Sequence, residues 1–187
     1  MTVPTYDAPN TKVLQPATLA HVVLRTADID KMSKFYVTFL GGQVTYRSEA
    51  ISFITYDEEH HRIALIGIPG TSPKAPHSCG LEHIAFTFSS LEDLLLAYRQ
   101  RKYHGIDPVC IYYKDPDGNM LETQVDNFDT VDEATAFMKS SKFAENPIGT
   151  DFNPDDLISA INEGVSEKTL KKRKEIGPRE MPDLAAM

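Results

Sequence analysis

The sequence predicts an α+β fold of two βαβββ modules that together form a cupped mixed β-sheet, with a C-terminal helical extension. Three observations predict it. The apolar run Leu19-Ala20-His21-Val22-Val23-Leu24 is echoed by Leu81-Glu82-His83-Ile84-Ala85-Phe86, each with one histidine at the same place. Each run is followed by a segment with apolar residues at helical spacing that ends in glycine, at Gly41-Gly42 and at His104-Gly105. Each segment then gives way to short strand-like runs separated by turn residues.

Residues 1–17, with Pro4, Pro9 and Asn10, read as an N-terminal arm and not as a signal peptide, since they hold no apolar core. The paired-module domain spans 18–126. Residues 18–25 form a buried strand, with β-branched Val22 and Val23 and with His21 interrupting it. A helix opens at Asp28, capped by Asp28 or Thr26, carries Ile29, Met32, Phe35, Tyr36 and Phe39 on one face, and stops at Gly41-Gly42. Strands follow at 43–49, 50–56 and 62–68, the last two joined by the charged turn Asp57-Glu58-Glu59. That completes the first module, 18–69, and the Pro-, Gly- and Ser-rich stretch after it is a linker in which His77 is inert.

The second module, 79–126, repeats the order in a slightly more compact form. A strand over 80–88 contains His83, and Ser90 caps a helix with Leu91, Leu94, Leu95 and Tyr98. A strand over 109–113 and another over 119–125 flank the tight turn Asp115-Pro116-Asp117-Gly118. Residues 127–187 form the helical extension, with helices expected at 132–141, 153–164 and 166–175. The basic stretch 171–174 is read as a solvated helix face.

Composition bounds the function. A chain of 187 residues with 41% hydrophobic content buries one core, so one domain with an appendage is expected. A net charge of −8 excludes nucleic acid and anionic membrane surfaces as partners, because both repel an acidic protein. Cys79 and Cys110 are too few for a disulfide scaffold or a zinc-finger cluster. Buried structural thiols in a reducing, cytoplasmic compartment are expected instead. No apolar run approaches the roughly 20 residues that a membrane helix needs.

Strand alternation sorts the side chains by face. His83 lies with Leu81, Ala85 and Thr87, whereas Ile84, Phe86 and Phe88 point to the helix-covered core, and His21 is placed the same way by the repeat. In the last strand Met120, Glu122 and Gln124 alternate with Leu121, Thr123 and Val125. His21, His83 and Glu122 therefore make a candidate metal site inside the cup. Two neutral imidazoles and a carboxylate form a facial triad suited to Fe(II), with Mn(II) or Zn(II) also compatible, leaving about three positions open. The rival reading, in which each residue is separately hydrogen-bonded, explains one strand histidine better than two at equivalent positions.

These paired modules with metal ligands on strands resemble the vicinal oxygen chelate superfamily, which includes glyoxalase I, extradiol dioxygenases, fosfomycin-resistance enzymes and metal-free drug-binding proteins. The likeness to the extradiol enzymes is the most detailed. Their hairpin Tyr-x-x-Asp-Pro-Asp-Gly followed by a ligand Glu is matched by Tyr112, Asp115, Pro116, Asp117, Gly118 and Glu122. Their His-x-aliphatic-Ala strand is matched by His61-Arg62-Ile63-Ala64, and His104 stands eight residues before Tyr112. The resemblance implies an Fe(II)-dependent dioxygenase that takes a small aromatic diol and O2. It also implies that His61 is the acid during O–O cleavage, and that His104 and Tyr112 bind the diol oxygens and assist deprotonation.

Repeat symmetry alone selects His60, and the motif selects His61. Two rivals stand beside this reading. A glyoxalase-like lyase or isomerase uses a fourth ligand on the strand that here reads without a carboxylate, and a non-catalytic small-molecule-binding protein lacks the ligand residues. With two modules in place of four, the chain is most similar to small one-domain extradiol enzymes. A homodimer or larger homo-oligomer is expected, in which the tail closes the cup or exchanges between copies.

Overall fold

The computed structural model describes residues 13–75, 79–108 and 112–180. The first repeat runs β1 (Val22–Thr26), α1 (Ile29–Leu40), β2 (Gln43–Arg47), β3 (Ile51–Thr55) and β4 (Ile63–Gly67). The second runs β5 (His83–Thr87), α2 (Leu91–Tyr103), β6 (Tyr112–Lys114) and β7 (Met120–Gln124). Four helices complete the chain: α3 (Val131–Met138), α4 (Ser141–Glu145), α5 (Pro154–Asn162) and α6 (Glu167–Leu170).

Local chemistry accounts for the helices. Asp28 caps α1 by accepting from Lys31 N, and Thr26 Oγ1 accepts from Asp28 N, so both candidate caps are used. Gly41 ends α1 at φ 63°, a conformation that side chains strain. Gly42 is required for a different reason, since a Cβ there would lie 2.3 Å from the Thr55 carbonyl oxygen. Ser90 caps α2, and Thr130 with Glu133 forms a reciprocal capping box on α3.

The strands form two sheets, of order β1-β4-β3-β2 and β5-β7-β6. Each has a parallel pair, β1 with β4 and β5 with β7, to which antiparallel neighbours are added. Among the described residues the second repeat supplies three strands, and the expected cup is assembled from two sheets, not one continuous one. Helix α1 joins them. Its Met32, Tyr36 and Phe39 are buried with Leu24, Ile54, Ile63 and Leu65 of the first sheet and with Tyr113 and Leu121 of the second. Burying a side chain of this size contributes about 1.5–3 kcal/mol. The Phe39 ring meets Tyr113 edge-on at 5.1 Å, and the buried Arg101 of α2 lies over it while donating from Nε to the Phe39 carbonyl at 2.8 Å.

A second apolar cluster ties the C-terminal helices down. Leu91, Leu94 and Leu95 of α2 pack with Leu157, Ile158 and Ile161 of α5 and with Leu170 of α6. The 146–151 turn is closed by Asn146, whose side chain bonds both N and O of Gly149. Arg179 Nη2 donates to both carboxylate oxygens of Asp151, at 2.8 and 2.9 Å.

Several expectations are corrected. The first strand begins at Val22, not at residue 18, because its parallel partner begins only at Ile63. His21 therefore stands just ahead of β1. Helix α6 ends at Leu170, well before 175: past its C-cap Lys171 the chain leaves the helix, and Arg173 reaches across to the Asn146 carbonyl. Cys79 is exposed, since it sits in a bend ahead of β5 with no core around it. Cys110 and His77 lie outside the described residues, as does most of the 109–113 run. No helix among the described residues is long and apolar enough to cross a membrane.

Candidate active site

The second sheet brings three of the expected residues together. The β5–β7 ladder sets His83 against Met120, Ala85 against Glu122 and Thr87 against Gln124, so these side chains share one face. Ile84 and Phe86 point the other way and pack on the α1 core. On the shared face Gln124 Nε2 donates to Thr87 Oγ1 at 3.0 Å, and His83 Nε2 lies 3.1 Å from Glu122 Oε2. Tyr112 stands directly across the β6–β7 ladder from Glu122, and its ring centroid is 5.6 Å from that of His83. Burial first, and then the charges of Glu122 and Glu82, push the Tyr112 phenol above its usual pKa. It keeps its proton at neutral pH.

The first sheet brings together another pair. His21 precedes β1 and His61 precedes β4, and because those strands are parallel neighbours the two rings meet at 4.4 Å. Phe53 of β3 stacks on His61 at 4.4 Å with 12° between the planes. His61 is only 7% exposed, and its Nδ1 is buried with no hydrogen-bond partner among the described residues. Burial, then the neighbouring His21 and His60, lower its pKa below the ordinary histidine value. The imidazole is thus neutral at neutral pH. His60 points outward, its side chain 73% exposed, and pairs with Glu59.

His104 joins neither group. It is the C-cap residue of α2, exposed, with its ring against Tyr103 at 5.3 Å.

The seam between the sheets opens beside the first group, on the Ile84 and Phe86 side of β5. His21 lines a cleft of about 190 Å³ together with Ile84, Ala85 and Phe86 of β5, and Ala85 is the ladder partner of Glu122. Among the described residues no three His, Cys, Asp or Glu side chains converge closely enough to hold a metal ion. Two of the three expected donors do converge. Donors about 2.1 Å from one ion and at right angles to each other lie about 3 Å apart, which is the His83–Glu122 separation as well as that of a charged hydrogen bond. The donor chemistry of His83 and Glu122, one imidazole and one carboxylate, fits a divalent ion.

The comparisons decide the family. The family model of the Glyoxalase/Bleomycin resistance protein/Dioxygenase superfamily matches residues 18–123. The chain belongs to that superfamily. Two relatives from Rhodococcus globerulus are both 43% identical: biphenyl-2,3-diol 1,2-dioxygenase 2, over 78% of this chain and 82% of the relative, and biphenyl-2,3-diol 1,2-dioxygenase 3, over 83% and 87%. Among solved structures, a trypanothione-dependent glyoxalase I from Leishmania major superposes with a TM-score of 0.50 at 23% identity. It covers 66% of this chain and 96% of that one, a likeness of fold.

Within this superfamily member, sequence reasoning missed three residues at the site. Phe53 stacks on one face of His61, and the signal was available: it sits opposite Ala64 in the β3–β4 hairpin. Glu82 adds its field to Tyr112 from the residue ahead of β5. Arg62 binds the backbone that leads into His21, a contact across 42 and 43 residues that no local pattern announces.

Proposed function

We propose that the chain is a metal-dependent extradiol ring-cleaving dioxygenase that opens an aromatic vicinal diol with O2. The observation that carries this reading is the meeting of His83, Glu122 and Tyr112 on one sheet face, in a chain 43% identical to two biphenyl-2,3-diol dioxygenases. An aromatic diol of the biphenyl-2,3-diol or catechol type is the substrate class.

His21, His83 and Glu122 would hold the metal, with Fe(II) favoured by two imidazoles and one carboxylate. When bound, Fe(II) supplies neighbouring positions for both diol oxygens and for dioxygen, so that the reactants meet within one site. Tyr112, held protonated, donates to a diol oxygen and fixes the ring's orientation. His61 is the group that moves a proton. Neutral, and with a buried Nδ1 that has no partner among the described residues, it can take a proton released by the diol and return it as acid during O–O cleavage. The Phe53 stack keeps its ring from turning and excludes water from one side. His104 enters the reading only through its spacing from Tyr112.

The lyase alternative is less well supported. β4 reads Ile63-Ala64-Leu65-Ile66-Gly67 with no carboxylate, and Glu59 in the turn before it is engaged with His60. A homo-oligomer is part of the proposal, supported by strand β2, which among the described residues has no neighbour on its outer edge and leaves Val44 and Tyr46 exposed. A cytoplasmic setting is supported by the two-cysteine content.

Anaerobic purification followed by metal analysis, with oxygen uptake on addition of 2,3-dihydroxybiphenyl and of catechol, tests the function. Iron stoichiometric with the chain, oxygen consumption and a yellow ring-opened product are expected. Zinc with no oxygen uptake would overturn it in favour of lyase chemistry.

A further inference from the structure

We infer that Arg62 is a positioning residue for the metal site: its guanidinium holds the backbone that delivers His21 to the cleft, an assignment that rests on the metal-site reading above. The β1 ladder starts at Val22, whose N–H donates to the Arg62 carbonyl at 2.9 Å. Ahead of Val22 the chain leaves the sheet. Arg62 Nη1 then donates to the carbonyls of Leu19 at 2.9 Å and Ala20 at 3.1 Å, the two peptide groups that lead into His21. Moving those carbonyls turns the Cα–Cβ direction of His21, so the ring's aim depends on them.

The arginine is itself held from the other side. Its Nε donates to both oxygens of Asp57 at 2.9 and 3.2 Å, and Asp57 Oδ1 also accepts from the Glu59 N–H at 3.1 Å. The path runs from the β3–β4 turn through Asp57 and Arg62 to the approach of β1. Because Arg62 follows His61 directly, one residue ties together the approaches of both histidines that meet at 4.4 Å. The task needs a planar fork. Nε grips both oxygens of the carboxylate while Nη1 reaches the two carbonyls, and a lysine ammonium, a single nitrogen, can serve one of these but not both.

A purely structural role predicts something different. The Asp57–Arg62 pair is partly exposed, and such pairs add little to global stability. Its removal should therefore disturb His21 without unfolding the protein. Second-layer substitutions at metal sites typically weaken metal binding about 10- to 100-fold.

The test uses the full-length chain with Co(II) as a spectroscopic probe, comparing wild type with Arg62→Met, Arg62→Lys, Asp57→Asn and His21→Ala. Metal affinity, the visible Co(II) spectrum and the urea midpoint are measured for each. The expected result is a loss of Co(II) affinity of about tenfold or more in Arg62→Met, an altered visible spectrum, partial recovery in Arg62→Lys and a near-wild-type urea midpoint. Should Arg62→Met unfold, Asp57→Asn carries the same expectation, with a smaller loss of affinity. Wild-type affinity and spectrum in the Arg62 and Asp57 variants, with binding lost in His21→Ala, would overturn the positioning role alone. No Co(II) or Fe(II) binding by wild type would instead overturn the metal-site reading, and the positioning role with it.

Discussion

Tyr36 Oη donates a 2.9 Å hydrogen bond to Asp115 Oδ2, joining the buried face of α1 to the turn that introduces β7. Asp115 also accepts from the N–H groups of Asp117 and Asn119 and from Asn119 Nδ2, so the turn is organised around this one carboxylate. The first repeat thereby fixes the hairpin on which Tyr112 and Glu122 stand. Burial, reinforced by Asp115, holds the Tyr36 phenol far above its ordinary pKa, so it remains a donor at neutral pH. Tyr36→Phe leaves the carboxylate one partner short in a buried place. The expected loss is about 1–3 kcal/mol, read from urea unfolding at constant m-value. An unchanged midpoint would show that water or a turn rearrangement replaces the phenol.

The isolation of the His61 ring leads to a second expectation. Its Nδ1 has no partner among the described residues, and its neighbours are Phe53 and two histidines, so removing it breaks no hydrogen bond that holds the fold. His61→Ala is expected to bind Fe(II) and the diol anaerobically as wild type does. Turnover should fall by about 10²- to 10⁴-fold, the usual contribution of a proton-transfer residue. Anaerobic absorption titration separates binding from oxygen uptake. Normal turnover by His61→Ala would remove the residue from the chemistry, and His60→Ala serves as the exposed control.

What could be read in advance divides by the range of the interactions. Helix α1 was legible to the residue, because Asp28, Thr26 and Gly41 act within one turn of the chain. The facing of His83 and Glu122 was legible too, since alternation along β5 and β7 carries directly into the ladder. The start of β1 was not. The apolar run continues back to Leu19, yet pairing stops where β4 stops, and Leu19 is left 75% exposed. The contact of His21 with His61 likewise comes from a parallel pairing that sequence spacing does not reveal. Repeat symmetry pointed to His60, whereas the ring lying inward against Phe53 and His21 is that of His61. Helix α6 misled for a related reason: beyond Leu170, Arg173 is taken up by the Asn146 carbonyl, a partner that only the folded tail brings near.

The separation of His83 and Glu122 sets a third expectation. If these two donors share an ion, Glu122→Ala and His83→Ala should each purify with little iron, while the fold, whose core lies on the opposite sheet face, stays intact. Chelator treatment of wild type should abolish oxygen uptake, and Fe(II) should restore it where Zn(II) does not. Iron content and circular dichroism of each variant provide the check. Wild-type iron in Glu122→Ala would show that the carboxylate is only an ion-pair partner for His83.

The tail supplies the last expectation. Residues from Ile148 to Lys174 wall a cavity of about 310 Å³ whose other lining includes Glu122, Gln124 and Val125 of the β7 region. Phe152 and Leu157 form part of that wall, and Leu157 also packs on Leu91, Leu94 and Leu95 of α2. Two substitutions should separate the two roles. Leu157→Ala removes packing from a partly buried cluster and should lower stability by about 2–3 kcal/mol, at the low end of the cost for core leucines. Phe152 is 45% exposed and contributes less to the core, so Phe152→Ala should leave the urea midpoint nearly unchanged. Its effect should fall on the substrate: the wall that it removes would contact the distal ring of a biphenyl diol and not a simple catechol. The Michaelis constant for 2,3-dihydroxybiphenyl should therefore rise several-fold while that for catechol holds, with kcat little altered for either. Equal changes for both diols would place the second ring elsewhere and leave the tail as a brace for α2.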